Sequence, residues 1–225
     1  KIQGRFPTRL SLSSTNADEV IQKRLLTKTD TAAAQLSEVY DGKRDLLANQ
    51  MTFRSAPPQF TGYANDREFV ESYPFAPYQF RLVQRVFEEI RKVGATGRHL
   101  AQGERSMLDA FQSALLTISD GEVGKLIPLY RLYPAIEGFL DSNIKRTISH
   151  AQERFEDFDV DVLRLLFLIR YVDEMPENVD NLVTLCADAI DVDSIALRGR
   201  VEAALKRLED ETLIGRSGDR YHFLT

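Results

Sequence analysis

The chain has 225 residues, 43% hydrophobic and 28% charged, a balance that supports a sizeable core in one large domain or two small ones. No run approaches the roughly 18–20 apolar residues that span a bilayer, and the single cysteine, Cys186, excludes an internal disulfide and a cysteine-built metal cage. The net charge of −5 argues against a broad phosphate-neutralising face and leaves only local basic patches for nucleic acid.

Lys1-Ile2-Gln3-Gly4-Arg5 leads straight to Pro7 with no apolar stretch behind it, so a secretory signal is not expected and a cytoplasmic setting is. These first residues read as the end of a strand, and His222-Phe223-Leu224-Thr225 as the inside of an ordered pattern. The expectation is a piece of a longer protein. Residues 9–14 alternate as a short half-buried strand would. Thr15 or Asn16 then caps a helix from about Asp18, with Val20, Ile21, Leu25 and Leu26 toward one side. Thr29 and Asp30 open a second helix whose apolar positions are Ala34, Leu36, Val39, Tyr40, Leu46 and Leu47. Pro57-Pro58 and Gly62 mark a loop over 52–66.

A short helix near Arg67–Ser72 stops at Tyr73-Pro74-Phe75. Pro77 starts the next, carrying Phe80, Val83, Val86, Phe87 and Ile90 at helical spacing to about Lys92. Gly94 and Gly97 break it. A further helix runs from about Gly103 through Met107, Leu108, Phe111, Leu115 and Leu116 until Asp120-Gly121. Residues 122–154 read as helical, punctuated by Pro128 and Pro134. Val160 to Ile169 is apolar enough for a helix buried on most sides. Asn178 caps a short helix with Leu182, Leu185 and Ala189, and a longer one follows from Ser194 to about Asp210, with Ile195, Val201, Leu205 and Leu208 inward. Residues 213–223 then spell strand, Gly218 turn and strand. Three helices and a terminal hairpin are the pattern of a winged helix-turn-helix.

Several motifs stand in a fixed order: Gly4-Arg5-Phe6-Pro7-Thr8-Arg9-Leu10-Ser11-Leu12, Tyr73-Pro74-Phe75 with Pro77, Gly103-Glu104-Arg105-Ser106-Met107-Leu108, and Tyr221-His222-Phe223-Leu224-Thr225. The opening stretch resembles the place in AAA+ ATPases where the last core strands pass into the helical lid. Taken whole, the chain is similar to an internal part of the BrxC family, the large P-loop ATPases of bacterial BREX phage-defence systems, related to PglY. The resemblance implies that Arg5, with Arg9 second, is an arginine finger reaching the nucleotide of a neighbouring subunit. A guanidinium suits that task because it is always charged and clamps phosphate oxygens in pairs. Arg105, at a helix start, takes the place of a sensor-2 arginine that contacts the nucleotide of its own subunit, with Arg98 the nearest alternative. The plainer readings are solvated strand-end arginines and an ordinary first-turn charge.

By the same resemblance the longer protein binds ATP and Mg and works beside other subunits of itself and other BREX proteins, including a DNA methyltransferase. This stretch lacks the Gly-x-x-x-x-Gly-Lys-Ser/Thr phosphate loop, and Asp173-Glu174 follows an apolar run that reads as a helix, not a Walker B strand. It is therefore not expected to hold nucleotide or hydrolyse it alone.

Other constellations read as structural. Asp157, Asp159 and Asp161 open a helix, where acids offset the dipole and cap it, and lack the ligand pattern of a calcium loop. His99, His150 and His222 lack zinc-helix spacing, so no metal site is expected. Tyr73, Phe75, Tyr78 and Phe80 read as packing around a proline corner, with base stacking the alternative. Arg198 and Arg200 on the last helix, with Lys206 and Arg207 beyond them, and Arg216 and Arg220 on the hairpin are the candidate nucleic-acid contacts. They are nearly balanced by Glu202, Glu209, Asp210 and Asp219, and the preceding helix is acidic. A protein-facing surface is the competing reading, with DNA the further candidate partner.

The expected fold is mainly α: residues 1–14 as the trailing edge of a AAA+ core, 15–154 as a helical lid and linker, and 155–225 as a winged helix with a small β-hairpin.

Overall fold

The computed structural model describes residues 14–92, 103–118, 122–138 and 140–224. Among these the chain is mainly helical, with one small antiparallel sheet. The expected strand at 9–14 lies outside the described residues, except for Ser14, which is helical. Helix α1 (Ser14–Leu25) begins there, so Thr15 and Asn16 fall inside its first turn and not ahead of it. Small polar residues are tolerated in a first turn as well as at a cap, because the backbone N–H groups there have no intrahelical partner.

Helix α2 (Asp30–Gln50) starts as its sequence requires: Thr29 is extended and its hydroxyl accepts from the Ala32 N–H at 3.2 Å. Leu36, Tyr40 and Leu47 are buried along it, whereas Leu46 stands on the exposed side. Asn65 caps α3 (Asp66–Ser72) in the same way through the Glu68 N–H at 2.9 Å. The Tyr73-Pro74 corner follows, and α4 (Pro77–Lys92) leaves it. Phe75, Tyr78 and Phe80 are buried at this corner, and Phe80 stacks on Phe111 of α5 (Gly103–Leu116) with centroids 5.0 Å apart. The aromatic cluster is core.

Residues 122–154 are less helical than their sequence suggests. Residues 123–124 form a turn, with a Gly124 φ of 111°, residues 125–128 are not helical, and the backbone groups of 124–126 pair with the segment after Cys186. Leu126 N donates to Asp188 O at 2.9 Å, and Ile190 N to Gly124 O at 2.8 Å. Those long-range bonds satisfy peptide groups that a helix would otherwise have satisfied. A 3-10 turn (Leu129–Leu132), the short α6 (Tyr133–Glu137) and α7 (Ser142–Arg154) complete the region.

Helix α8 (Asp157–Ile169) is central. Val160, Val162, Leu163 and every residue from Leu165 to Ile169 are buried. Helices α9 (Val179–Cys186) and α10 (Ser194–Asp210) pack on it, and strands β1 (Ile214–Ser217) and β2 (Arg220–Phe223) close the end. Ile214 pairs with Phe223 and Ser217 with Arg220 across a turn in which Gly218 has a φ of 64°. Phe223 meets Phe167 of α8 edge-on at 5.4 Å.

A single buried cluster runs from Ile21 to Phe223. The expected boundary near 155 is crossed by specific bonds as well. Asn181, fully buried, accepts from Arg54 N at 2.7 Å and donates to Arg54 O at 3.1 Å, and Gln50 donates to Ala189 O at 2.9 Å.

Candidate functional site

The α9, α10 and hairpin surface is where the sequence concentrates unexplained charge, and local structure decides how much of it is available. Asn178 caps α9 through the Asn181 N–H at 2.9 Å. Asp193 caps α10 by accepting from Ile195 N at 3.0 Å and Ala196 N at 2.9 Å. From that start the inward stripe is Leu197, Val201, Ala204, Leu205 and Leu208. Ile195 was expected in the stripe but is 85% exposed. It sits two residues ahead of Leu197, and at 3.6 residues per turn that places it on the far side of the helix.

The four arginines proposed for nucleic acid have these surroundings. Arg198 is bound to Asp180 of α9 and lies 3.6 Å from Glu202, while Asp180 also meets Arg54 at 3.4 Å. The Arg198 hydrogen bond holds the Asp180 carboxyl below the usual carboxylate range, and the same bond raises the Arg198 guanidinium. Arg200 lies over the Phe158 ring, its guanidinium carbon 4.1 Å from the centroid, a cation–π contact. Arg216 on β1 folds back to donate to Gly218 O at 3.0 Å and covers the Tyr221 ring at 5.3 Å. Arg220 is exposed, and its backbone bridges to Asn178. Tyr221 N donates to Glu177 O at 3.0 Å. Burial raises the Glu177 carboxyl, while nearby Arg220 and His222 pull it back.

Sequence reading missed the pair that fixes α10 on α8. Asp159 has a side chain only 1% exposed, and Arg207 grips both its oxygens at 2.7 and 2.6 Å. The aspartates of 157–161 therefore do not cap α8. Glu156 occupies the cap position without a side-chain bond, Asp159 serves Arg207, and Asp161 meets Arg164 at 3.0 Å. The available signal was an acid alternating with apolar residues at the start of a helix apolar enough to be buried, since a carboxylate is rarely fully buried without a partner.

The α9–α10 connection carries Asp188, Asp191 and Asp193, all exposed, and Asp193 stands at the N-terminal end of α10. That helix end would otherwise attract phosphate through its dipole and free N–H groups. Asp193 already occupies two of those N–H groups.

Arg5, Arg9 and Arg98 lie outside the described residues. Arg105 falls in the first turn of α5, with its side chain outside what is described. Cys186 is buried, and burial raises its thiol, which makes it a packing group and not a nucleophile. Among the described residues no group of three or more His, Cys, Asp or Glu is placed to hold a metal ion, and no helix is long and apolar enough to cross a membrane. Asp173 and Glu174 follow helix α8, and Glu174 meets Arg85 at 3.4 Å. No protein-family model matches the chain, and no solved structure matches it.

Proposed function

We propose that the chain is a regulatory and assembly part of a larger P-loop ATPase of the BREX type, an AAA+-like helical lid followed by a winged helix whose outer surface meets protein. The order α8, α9, α10, β1, β2, with α10 lying against both α8 and α9 and the hairpin closing on α8, supports the winged-helix reading. The motif order of the sequence supports the ATPase reading. In it Arg5, with Arg9 second, serves the neighbouring subunit's nucleotide, and Arg105, or Arg98, serves its own. ATP and Mg belong to the full-length protein, whose other parts supply the phosphate loop.

The observation that carries the choice of protein over DNA is the charge layout of the last two helices. Arg198 is tied to Asp180 and Arg207 to Asp159, and the connection that would approach phosphates presents Asp188, Asp191 and Asp193. A phosphate-binding face gains affinity by releasing counterions from DNA, which needs cations not already paired. Partners are then other BREX proteins, the DNA methyltransferase among them, or further subunits of the same ATPase.

Fluorescence anisotropy of labelled duplex DNA with this chain tests the choice. The expected result is no binding above background at low salt. Binding that weakens steeply with salt, and weakens again in Arg216→Ala and Arg220→Ala, overturns it in favour of a DNA-binding module, since those two arginines are the exposed cations of the hairpin. For the ATPase reading, Arg5→Ala and Arg105→Ala in the full-length protein are expected to bind ATP and hydrolyse it far more slowly. Normal hydrolysis in both makes the arginines structural.

A further inference from the structure

Leu116, 65% exposed, and Val123, 57% exposed, open onto one groove. It lies between the end of α1, the start of α2, the Tyr73-Pro74 corner and the end of α5, and Leu25, Leu26, Leu36 and Leu115 complete its apolar lining. The volume is about 440 Å³, within the range of sites that take a small organic molecule.

Lys28 is the cation of this groove. Its Nζ donates to Tyr73 O at 2.7 Å and more weakly to Glu71 O at 3.5 Å. It has no ion pair among the described residues. The neighbouring Glu71 carboxylate is held by Arg67 at 2.8 Å. An ammonium has three donors and a full charge, and a charge drawn into apolar surroundings without a counter-ion is costly. Burial accordingly lowers Lys28 to about 8, with Glu71 pulling it back up. A carboxylate seated in the groove supplies the direct ion pair that Lys28 lacks among the described residues. Glu122, exposed at the rim, disfavours a second negative charge, which selects a monoanion over a phosphate. The groove is open to solvent, and its 440 Å³ is enough for one short apolar body.

We propose that this groove binds a small apolar monocarboxylate, its carboxylate on Lys28 and its body against Leu25, Leu115, Leu116 and Val123. This site is independent of the reading given to the C-terminal helices.

Decanoate, below its micelle concentration, and decanol are the probes, titrated into the 15N-labelled full chain and followed by NMR. Decanoate is expected to move the amides of Leu25, Leu116 and Val123 in a saturable way. Lys28→Met is expected to weaken decanoate by roughly tenfold or more, the size of one charge-assisted contact, and to leave decanol unchanged. Because Lys28 also holds the end of α3, Leu116→Asp is the second variant: its site is exposed, the fold is not at stake, and both probes should weaken. The proposal is overturned if decanoate leaves the groove amides unmoved, or if decanoate and decanol bind alike in the wild type. It is equally overturned if an acidic apolar peptide binds the groove while decanoate does not.

Discussion

At the scale of single residues, two carboxylates show opposite solutions to burial. Asp159 is shielded and fully partnered by Arg207, whose own side chain is 45% exposed. Removing the arginine strands a buried charge, whereas removing the aspartate leaves a guanidinium that water can reach. Arg207→Ala is therefore expected to cost about 3 kcal/mol and Asp159→Ala about 1–2 kcal/mol, read from urea denaturation. The reverse order would sink this account of the pair. Asp18 is the unpartnered case. Its Oδ1 is buried without a hydrogen bond, in a cleft shared with Arg81, Arg85 and Glu88. Burial pushes its carboxyl from 3.8 up to about 6, against the pull of Arg81. A folded value above the unfolded one means that this residue's contribution to stability is complete below about pH 4 and is lost as pH rises through about 6. Acidifying across that window should stabilise the wild type relative to Asp18→Asn, and at neutral pH the variant should be the more stable protein. Parallel denaturation curves at every pH would show that Asp18 is not the titrating group.

At the scale of elements, α10 and the hairpin each hang on a few positions. Leu197 is 3% exposed and Ile195 is 85% exposed. Leu197→Ala should cost about 2–5 kcal/mol, the range for a leucine removed from a core, while Ile195→Ser should change thermal stability little. In the hairpin, Gly218 turns with a φ of 64°, a region where a Cβ is strained, yet no neighbouring atom crowds it. Gly218→Ala is expected to lower stability by about 1 kcal/mol, and Gly218→Asn by less, because asparagine tolerates the left-handed region. Gly215 differs: a Cβ there would lie 2.5 Å from the His222 ring, so a substitution has to move that ring aside.

At the scale of the whole molecule, the loop after α2 is fastened to α9. Asn181 bonds both backbone groups of Arg54 and also Pro176 O at 2.8 Å, and Thr184 donates to Gln50 O at 3.1 Å. Asn181→Ala would leave the Pro176 carbonyl unsatisfied in a buried place and both Arg54 backbone groups without their partner in a half-buried one, at about 1–3 kcal/mol in all. With one core cluster continuous across these bonds, both sides of residue 155 should unfold in a single cooperative transition. Hydrogen exchange of α2 and α10 in graded urea checks this, and separate midpoints for the two helices would mean that the bonds do not couple them.

What the sequence determined by itself is local. Thr29, Asn178 and Pro77 begin their helices where their chemistry allows, and the Gly218 turn joins two β-prone strands, because each of these choices depends on atoms a few residues apart. The mainly helical class follows from the same short-range periodicity. Tertiary structure decided the rest. Residues 122–128 left the helical state because Asp188 O and Ile190 N offered partners from sixty residues away or more. Ile195 turned outward because the inward stripe of α10 is set by α8 and α9. The arginines of the last helices were visible as charges, but whether they are free depends on Asp159 and Asp180, which only folding brings to them. Lys28 reads as an ordinary lysine until the end of α5 and the Tyr73-Pro74 corner place an open apolar groove beside it. Electrostatic and apolar surroundings are properties of neighbours in space, and no window along the chain contains them.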